Sequence, residues 1–177
     1  MHSGTFEMVL DRVSAKQRVA ELVAELVVPL REIPNMTDRT TCIVSRQTHF
    51  VLKSIAKSDR VSLQALTFQL FRLGMVARER IKNKSLLIED IFTGNCDRDV
   101  RVKELIRNLV LPGPHTRKSK NRVALIVDRS THTVLQGGAF VEQLPIEKFV
   151  LEIITVGVLV RIRLAEGRLE KQDWGFS

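Results

Sequence analysis

Cysteine is scarce in this chain, which carries only Cys42 and Cys96 among its 177 residues. Two cysteines far apart in the sequence argue against a disulfide framework or a thiolate zinc site, so a reducing compartment is expected. No apolar run reaches the roughly 18 residues that a membrane-spanning helix needs. The first residues also lack a basic stretch followed by an apolar one, so secretion is not expected.

Signatures of catalysis are missing as well. The sequence has no glycine-rich phosphate loop, no nucleophile elbow and no constellation of paired carboxylates, so we expect neither an enzyme nor a bound cofactor. His49 and His132 could form a symmetric metal site only with further ligands, and none stands at metal spacing. A structural or phosphate-side role is therefore expected for both histidines, and neither a membrane nor a small-molecule substrate is indicated.

Aromatic residues make up only 5% of the chain, and tyrosine is absent. This makes RNA a less favoured ligand, because aromatic rings are needed for stacking on its bases. The formal net charge is +8 at pH 7 and the pI is near 10.0, which favours a polyanionic partner. With 44% hydrophobic and 27% charged residues, the composition is typical of a soluble globular protein.

The chain contains an internal repeat. The stretch Ile43–Leu52, IVSRQTHFVL, returns 83 residues later as Ile126–Leu135, IVDRSTHTVL. At this one offset, and without a gap, 19 of the 64 positions from 18 to 81 are identical. We interpret this as a tandem duplication, and two copies predict a pseudo-symmetric pair rather than a solenoid. The predicted organisation is an N-terminal helical segment at 1–17, repeat 1 at 18–84, a connector at 85–100, repeat 2 at 101–167 and a C-terminal tail at 168–177.

Each copy is predicted to run helix, short strand, helix, longer helix. Apolar residues at helical spacing predict a first helix over 5–31 and its counterpart over 102–111, each closed by prolines. Residues 39–45 and 122–128 alternate with a period of two, as strands with one buried face do. The core face of these strands is predicted to consist of Thr40, Cys42, Val44, Val123, Leu125 and Val127.

The remaining helices follow from caps and from the repeat itself. Ser45 and Asp128 stand where a helix N-cap belongs, and Ser62 precedes a second, longer helix. Residues 149–160 alone favour a strand, because they are rich in β-branched side chains. Their gap-free duplicate at 66–77 is plainly helical, so we predict a helix that is buried nearly all round. Glycines recur at 74 and 157, in the middle of both long helices, and predict a close crossing of these helices.

The succession of short strand, capped helix, turn and serine-capped longer helix covers 39–81 and 122–164. It resembles the ribbon-helix-helix DNA-binding superfamily of the Arc and MetJ type. The resemblance implies a mainly α fold in which two strands form an antiparallel ribbon that enters the major groove of double-stranded DNA. Tandem single-chain versions are similar to accessory proteins of conjugative DNA transfer and to plasmid-borne regulators, which implies a bacterial, cytoplasmic, DNA-associated protein. The ribbon could pair within one chain or between the two chains of a homodimer.

The resemblance also implies which residues touch DNA. Arginine reads guanine bidentately, which suits a strand residue that faces outward. The apolar outward residues depart from the usual polar pattern and could contact thymine methyl groups or be covered by protein. The implied base contacts are Arg39, Thr41, Ile43, Arg122, Ala124 and Ile126.

Phosphate contacts are expected from helix starts and from a basic segment. Free N–H groups at a helix N-terminus favour an anion, and the segment 115–122, HTRKSKNR, has four positive side chains and no acid. Pro145, the counterpart of Ser62, has no N–H, so the second copy is predicted to grip more weakly. The expected phosphate contacts are Arg46, Ser62, Leu63, Arg117, Lys118, Lys120 and Arg129.

The sequence thus predicts a sequence-specific DNA-binding protein, with transcriptional regulation as the first expectation. An accessory factor for conjugation or partition is the alternative within DNA binding. A protein-interaction scaffold with a covered ribbon face is the alternative from another class. The apolar outward residues favour the scaffold, whereas the pI and the basic segment favour DNA.

Overall fold

Helices and two strands follow one another in the order that the repeat predicts. A computed structural model describes residues 3–26, 38–92, 97–114 and 120–175. This part of the chain is mainly helical, with a two-stranded antiparallel sheet, and none of its helices has the length and apolarity that a bilayer crossing needs. The elements are α1 (Ser3–Leu26), β1 (Arg39–Ser45), α2 (Arg46–Asp59), α3 (Leu63–Lys82), α4 (Ile88–Phe92), α5 (Asp97–Ile106), β2 (Arg122–Asp128), α6 (Arg129–Val141), α7 (Ile146–Ala165) and a 3-10 helix (Lys171–Trp174).

The ribbon forms within one chain. β1 and β2 pair antiparallel along their full length, and Cys42 lies opposite Leu125 at the centre. These two positions are 83 residues apart, so the middle of the ribbon joins equivalent positions of the two copies. The predicted pairing is confirmed, and so is the alternation of the strands. The core face consists of the buried Cys42, Val44, Leu125 and Val127 with the half-buried Thr40 and Val123.

Side-chain caps turn each strand directly into a helix. The Ser45 hydroxyl accepts a hydrogen bond from the Thr48 N–H at 2.9 Å, and the Asp128 carboxylate accepts one from the Thr131 N–H at 3.1 Å. Both predicted N-caps are confirmed. Hydrogen bonds from the Ser130 hydroxyl and from the Thr131 N–H lower the pKa of Asp128, because they stabilise its charged form.

The two long helices, α3 and α7, make the most extensive contact between any two described elements. Gly74 faces the backbone at Ile153, and Gly157 faces the backbone at Leu70. A methyl group at either glycine would lie 2.9 Å from the facing carbonyl carbon, so only glycine permits this approach. The predicted close crossing is confirmed. The predicted helix over 149–160 is confirmed too, and α7 is buried without interruption from 157 to 164.

One of the predicted helices ends earlier in the structure than the sequence predicts, and the end of another is not described. The helix expected over 102–111 begins earlier and ends at Ile106. Beyond Ile106 the backbone is bound to α2 instead of continuing the helix. The Thr48 hydroxyl accepts a hydrogen bond from the Val110 N–H at 3.0 Å and donates one to the Val110 carbonyl at 2.9 Å. The end of the helix predicted over 5–31 lies outside the described residues, since α1 is described to Leu26.

Two arginines in equivalent positions of α3 and α7 join these long helices to the ends of α2 and α6, the helices that follow the strands. Arg161 of α7 pairs with Asp59 at the end of α2, and this pair is 1% and 0% exposed. Arg78 of α3 pairs in the same way with Glu142, which follows α6, and this pair is 22% and 19% exposed. A partner on the opposite long helix, Gln69 for Arg161 and Glu152 for Arg78, accepts a further hydrogen bond. The two networks differ mainly in burial.

A second equivalent pair of arginines, Arg80 and Arg163, contacts the shorter helices: α4 and α5 in the case of Arg163, and the 3-10 helix in the case of Arg80. Arg163 donates to the Ile91 carbonyl of α4 at 3.1 Å and pairs with Asp99 of α5 at 2.8 Å. Arg80 lies over the ring of Trp174, 4.6 Å from its centroid. Arg78 and Arg80 thus have structural roles.

Candidate functional site

The outward face of the ribbon is largely open. Arg39, Thr41, Ala124 and Ile126 are exposed, with 42% of Ile126 accessible, whereas Ile43 and Arg122 are half-buried. Seven residues per strand give a ribbon about 24 Å long, at about 3.4 Å per residue. In the register of the ribbon, all six residues for which base contacts are implied belong to one face. They differ in how much of each side chain is exposed to solvent.

Arg122 is less exposed than a residue that contacts bases is expected to be. Its guanidinium pairs with Glu147 in the first turn of α7 and donates to the Gly113 carbonyl at 2.8 Å. Only 16% of its side chain is accessible. Arg39, at the equivalent position of β1, is exposed. The outward arginines of the two strands therefore differ in exposure, and the sequence did not reveal Glu147 as the partner of Arg122.

The residues expected to contact phosphate lie at three places. Arg46 and Lys120 are exposed beside one end of the ribbon, where the Arg46 N–H donates to the Asn121 carbonyl at 2.9 Å. Arg129, at the other end, pairs with Asp38 at 3.0 Å, and both side chains are 63% exposed. Such an exposed pair adds little stability and exchanges readily with another anion. The expected contacts Arg117 and Lys118 lie outside the described residues.

The start of α3 is the remaining expected phosphate site. The exposed Ser62 accepts a hydrogen bond from the Ala65 N–H at 3.1 Å, which confirms the predicted N-cap. Leu63 follows as the first helical residue and is half-buried. Pro145 caps α7 without a side-chain hydrogen bond. The two helix starts therefore differ in the way that the sequence indicates.

Besides Asp128, the pKa values of Cys42 in β1 and of His49 in α2 are shifted by their surroundings. Burial raises the pKa of the Cys42 thiol from 9.0 to about 12, so this cysteine is a poor nucleophile. Burial lowers the pKa of His49, and the positive charges of Lys53 and Arg46 lower it further. Within the described ranges, no three histidine, cysteine, aspartate or glutamate side chains are placed to hold a metal ion.

The site is therefore an open two-stranded surface with cations at both ends, where Glu147 lies near one end and Asp38 at the other. Such a surface can contact another molecule through its strand side chains, because these stand clear of the core. No family model, no curated protein and no solved structure matches the chain. The functional conclusion therefore depends on the geometry and the charge of the ribbon.

Proposed function

We propose that the chain is a sequence-specific binding protein for double-stranded DNA, of ribbon-helix-helix type, and that it acts as a transcriptional regulator. Its ribbon enters the major groove, where Arg39 and Thr41 contact base edges. Exposed cations at the ends of the ribbon hold the flanking phosphates. An accessory role in conjugation or partition uses the same contact with DNA and differs only in what the bound protein recruits.

The observation that carries this proposal is the ribbon itself. Its strands pair along their full length, and the outward side chains of both strands stand on one open face. Paired strands lie about 4.8 Å apart, and the major groove is about 12 Å wide. A two-stranded ribbon with its side chains therefore fits the groove, and this is how ribbon proteins read DNA.

Charge supports the same proposal. The chain carries a net charge of +8, and Arg39, Arg46 and Lys120 are all exposed next to the ribbon. Cations that neutralise phosphates supply most of the non-specific affinity for DNA and make it depend on salt. The expected contacts Arg117 and Lys118 precede Lys120 in the chain and extend this basic segment.

We further propose that the two copies are related by a pseudo-two-fold axis through the middle of the ribbon. Reciprocal contacts support this arrangement: Cys42 lies opposite Leu125, and the two glycine contacts of α3 and α7 involve equivalent positions. The Arg46 N–H donates to the Asn121 carbonyl, and the equivalent Arg129 N–H donates to the Asp38 carbonyl. The axis gives the ribbon two similar halves, of which the β1 half has the freer arginine.

The test begins with selection of bound sequences from a random duplex pool. On the selected site, Arg39→Ala should weaken binding by about 1–3 kcal/mol, because a bidentate contact with a base is lost. On random DNA the loss should be much smaller. Lys84→Ala removes the same charge at the opposite end of α3 from Ser62 and serves as the control. Replacing Arg117, Lys118 and Lys120 with alanine should weaken binding to all sequences and reduce its salt dependence.

Glu147→Gln sharpens the test, because it removes the acid that holds Arg122. DNA binding should become tighter, since a negative charge beside the ribbon is lost and a positive one is released. A protein-interaction scaffold is the second candidate, favoured by the exposed apolar Ala124 and Ile126 on β2. If no sequence is selected and no DNA is bound at low salt, the proposal of a DNA-binding regulator is wrong and the scaffold becomes the better proposal.

A further inference from the structure

α6 carries an apolar face that nothing in the described structure covers. Phe140 is 85% exposed, Val141 75% and Val134 54%. With the exposed Ser130, Thr133 and Gly137, these residues recur at intervals of three and four and therefore lie on one side of the helix. We call these six residues the α6 face. An exposed apolar surface of this kind commonly marks a protein interaction site.

The first copy shows what kind of element covers such a face. Val51 of α2 is equivalent to Val134 and is fully buried, because α1 packs along α2. Lys16 of α1 even reaches over the ring of Phe50, the residue equivalent to Thr133, at 5.7 Å. No comparable contact is made between α5 and α6 among the described residues. Among the described residues, a helix therefore covers Val51 in the first copy, and no helix covers Val134 in the second. The positions equivalent to Phe140 and Val141, Lys57 and Ser58, are exposed and polar in the first copy.

The composition of the α6 face indicates the partner. From 130 to 141, α6 contains no lysine, arginine, aspartate or glutamate, although the chain as a whole carries a net charge of +8. The charged side chains that border Val134, Gly137 and Val141 are two cations, Arg78 and Lys82, and two acids, Glu79 and Glu142, so they give this surface no net charge. A partner of opposite charge would instead be met by an excess of exposed cations. A second copy of the chain needs the reverse, namely a face on which two basic proteins approach without repulsion.

Gly137 lies in the middle of the α6 face and has no side chain that would keep another helix away. A methyl group built on Gly137 meets nothing within 4 Å, so the fold of a single chain does not require glycine there. Val134 stands one turn before it and Val141 one turn after it. Two such helices can cross at their glycines, so that the valines of each helix pack on the other. This contact is self-complementary, as a two-fold interface must be.

We propose that the chain forms a two-fold dimer in which the α6 face of one copy packs against the α6 face of the other. Each copy keeps its own ribbon, so the dimer carries two ribbons. The second α6 helix covers Val134 in the same way that α1 covers Val51. This interface is independent of DNA and of the proposed function.

The test is sedimentation equilibrium of the intact chain without DNA. We expect a dimer that dissociates in the micromolar range, and Phe140→Glu with Val141→Glu should weaken it at least tenfold, or by about 1.4 kcal/mol. Gly137→Ala should also weaken it while leaving the fold intact. Leu87→Glu is the matched control, since Leu87 is a 58% exposed apolar residue outside this face.

Thermal unfolding followed by circular dichroism shows whether each variant is folded. A chain that stays monomeric up to about 1 mM, the limit of weak association, would overturn the proposal. So would a dimer that survives the glutamate substitutions, because its interface would lie elsewhere. A monomer whose α6 face binds a different protein would also overturn it. Failure of DNA binding, by contrast, leaves this interface untouched.

Discussion

Gly157 in α7 offers a quantitative test of how closely the two long helices approach. In an open helix, alanine in place of glycine stabilises by up to about 1 kcal/mol. At Gly157 the added methyl would lie 2.9 Å from the carbonyl carbon of Leu70. Ordinary carbon–carbon contacts begin near 3.5 Å, so α3 and α7 would have to separate by about 0.6 Å or more. Overpacking of this kind costs about 1–3 kcal/mol.

We therefore expect Gly157→Ala to lower the free energy of unfolding by about 1 kcal/mol, which is an overpacking cost of about 2 kcal/mol less a gain in helix propensity of about 1 kcal/mol. Urea denaturation followed by circular dichroism measures this change. Gly137→Ala is the control and should raise the free energy of unfolding, because its methyl meets nothing within 4 Å. It should be measured at a concentration at which the chain is monomeric.

The equivalent change, Gly74→Ala, gives a second check on the same geometry. Because one separation of the helices relieves both contacts, the double variant should lose less than the sum of the single variants. If Gly157→Ala were as stable as the wild type, the close approach of α3 and α7 would be wrong. A strictly additive double variant would mean that the two contacts are independent.

Two further predictions concern the arginine pairs and the buried Cys42. Arg161→Met leaves Asp59 buried without its cation and should cost about 3–5 kcal/mol, whereas Arg78→Met should cost less, since Glu142 keeps Lys82 at 3.1 Å; equal losses in urea denaturation would contradict the difference in burial. In a Cys96→Ser background, Cys42 should resist alkylation in the native state at pH 8 and react once the chain is unfolded. Because the pKa of Cys42 rises from 9.0 to about 12 on folding, its contribution to stability is complete below pH 9 and falls as the pH rises towards 12; Cys42→Ala should flatten this fall.

The repeat allowed more of the fold to be predicted than either copy alone. Residues 149–160 favour a strand by composition, yet they form a helix because the packing of α7 against α3 outweighs local propensity. The strands, the caps at Ser45 and Asp128 and the glycine crossing depend on local patterns or on identity between the copies. These features could therefore be predicted from residues that are close in sequence or 83 apart.

What could not be predicted depends on contacts between residues that no pattern connects. Arg122 fits an outward strand position. Only the fold shows that its guanidinium pairs with the carboxylate of Glu147, 25 residues later. Val134 has helical spacing for a buried face, and it is exposed because none of the described helices covers it. Identity alone could have singled out Arg78 and Arg80, since both are unchanged in the second copy.

Because both ribbon strands belong to one polypeptide, formation of the ribbon does not depend on the protein concentration. When two separate chains supply the strands, pairing is a bimolecular step, and the ribbon is lost below the dissociation constant. Here the strands are joined, so each meets the other at an effective concentration on the order of millimolar, whatever the number of molecules present. A few copies in a cell therefore hold their ribbons as completely formed as a concentrated solution does.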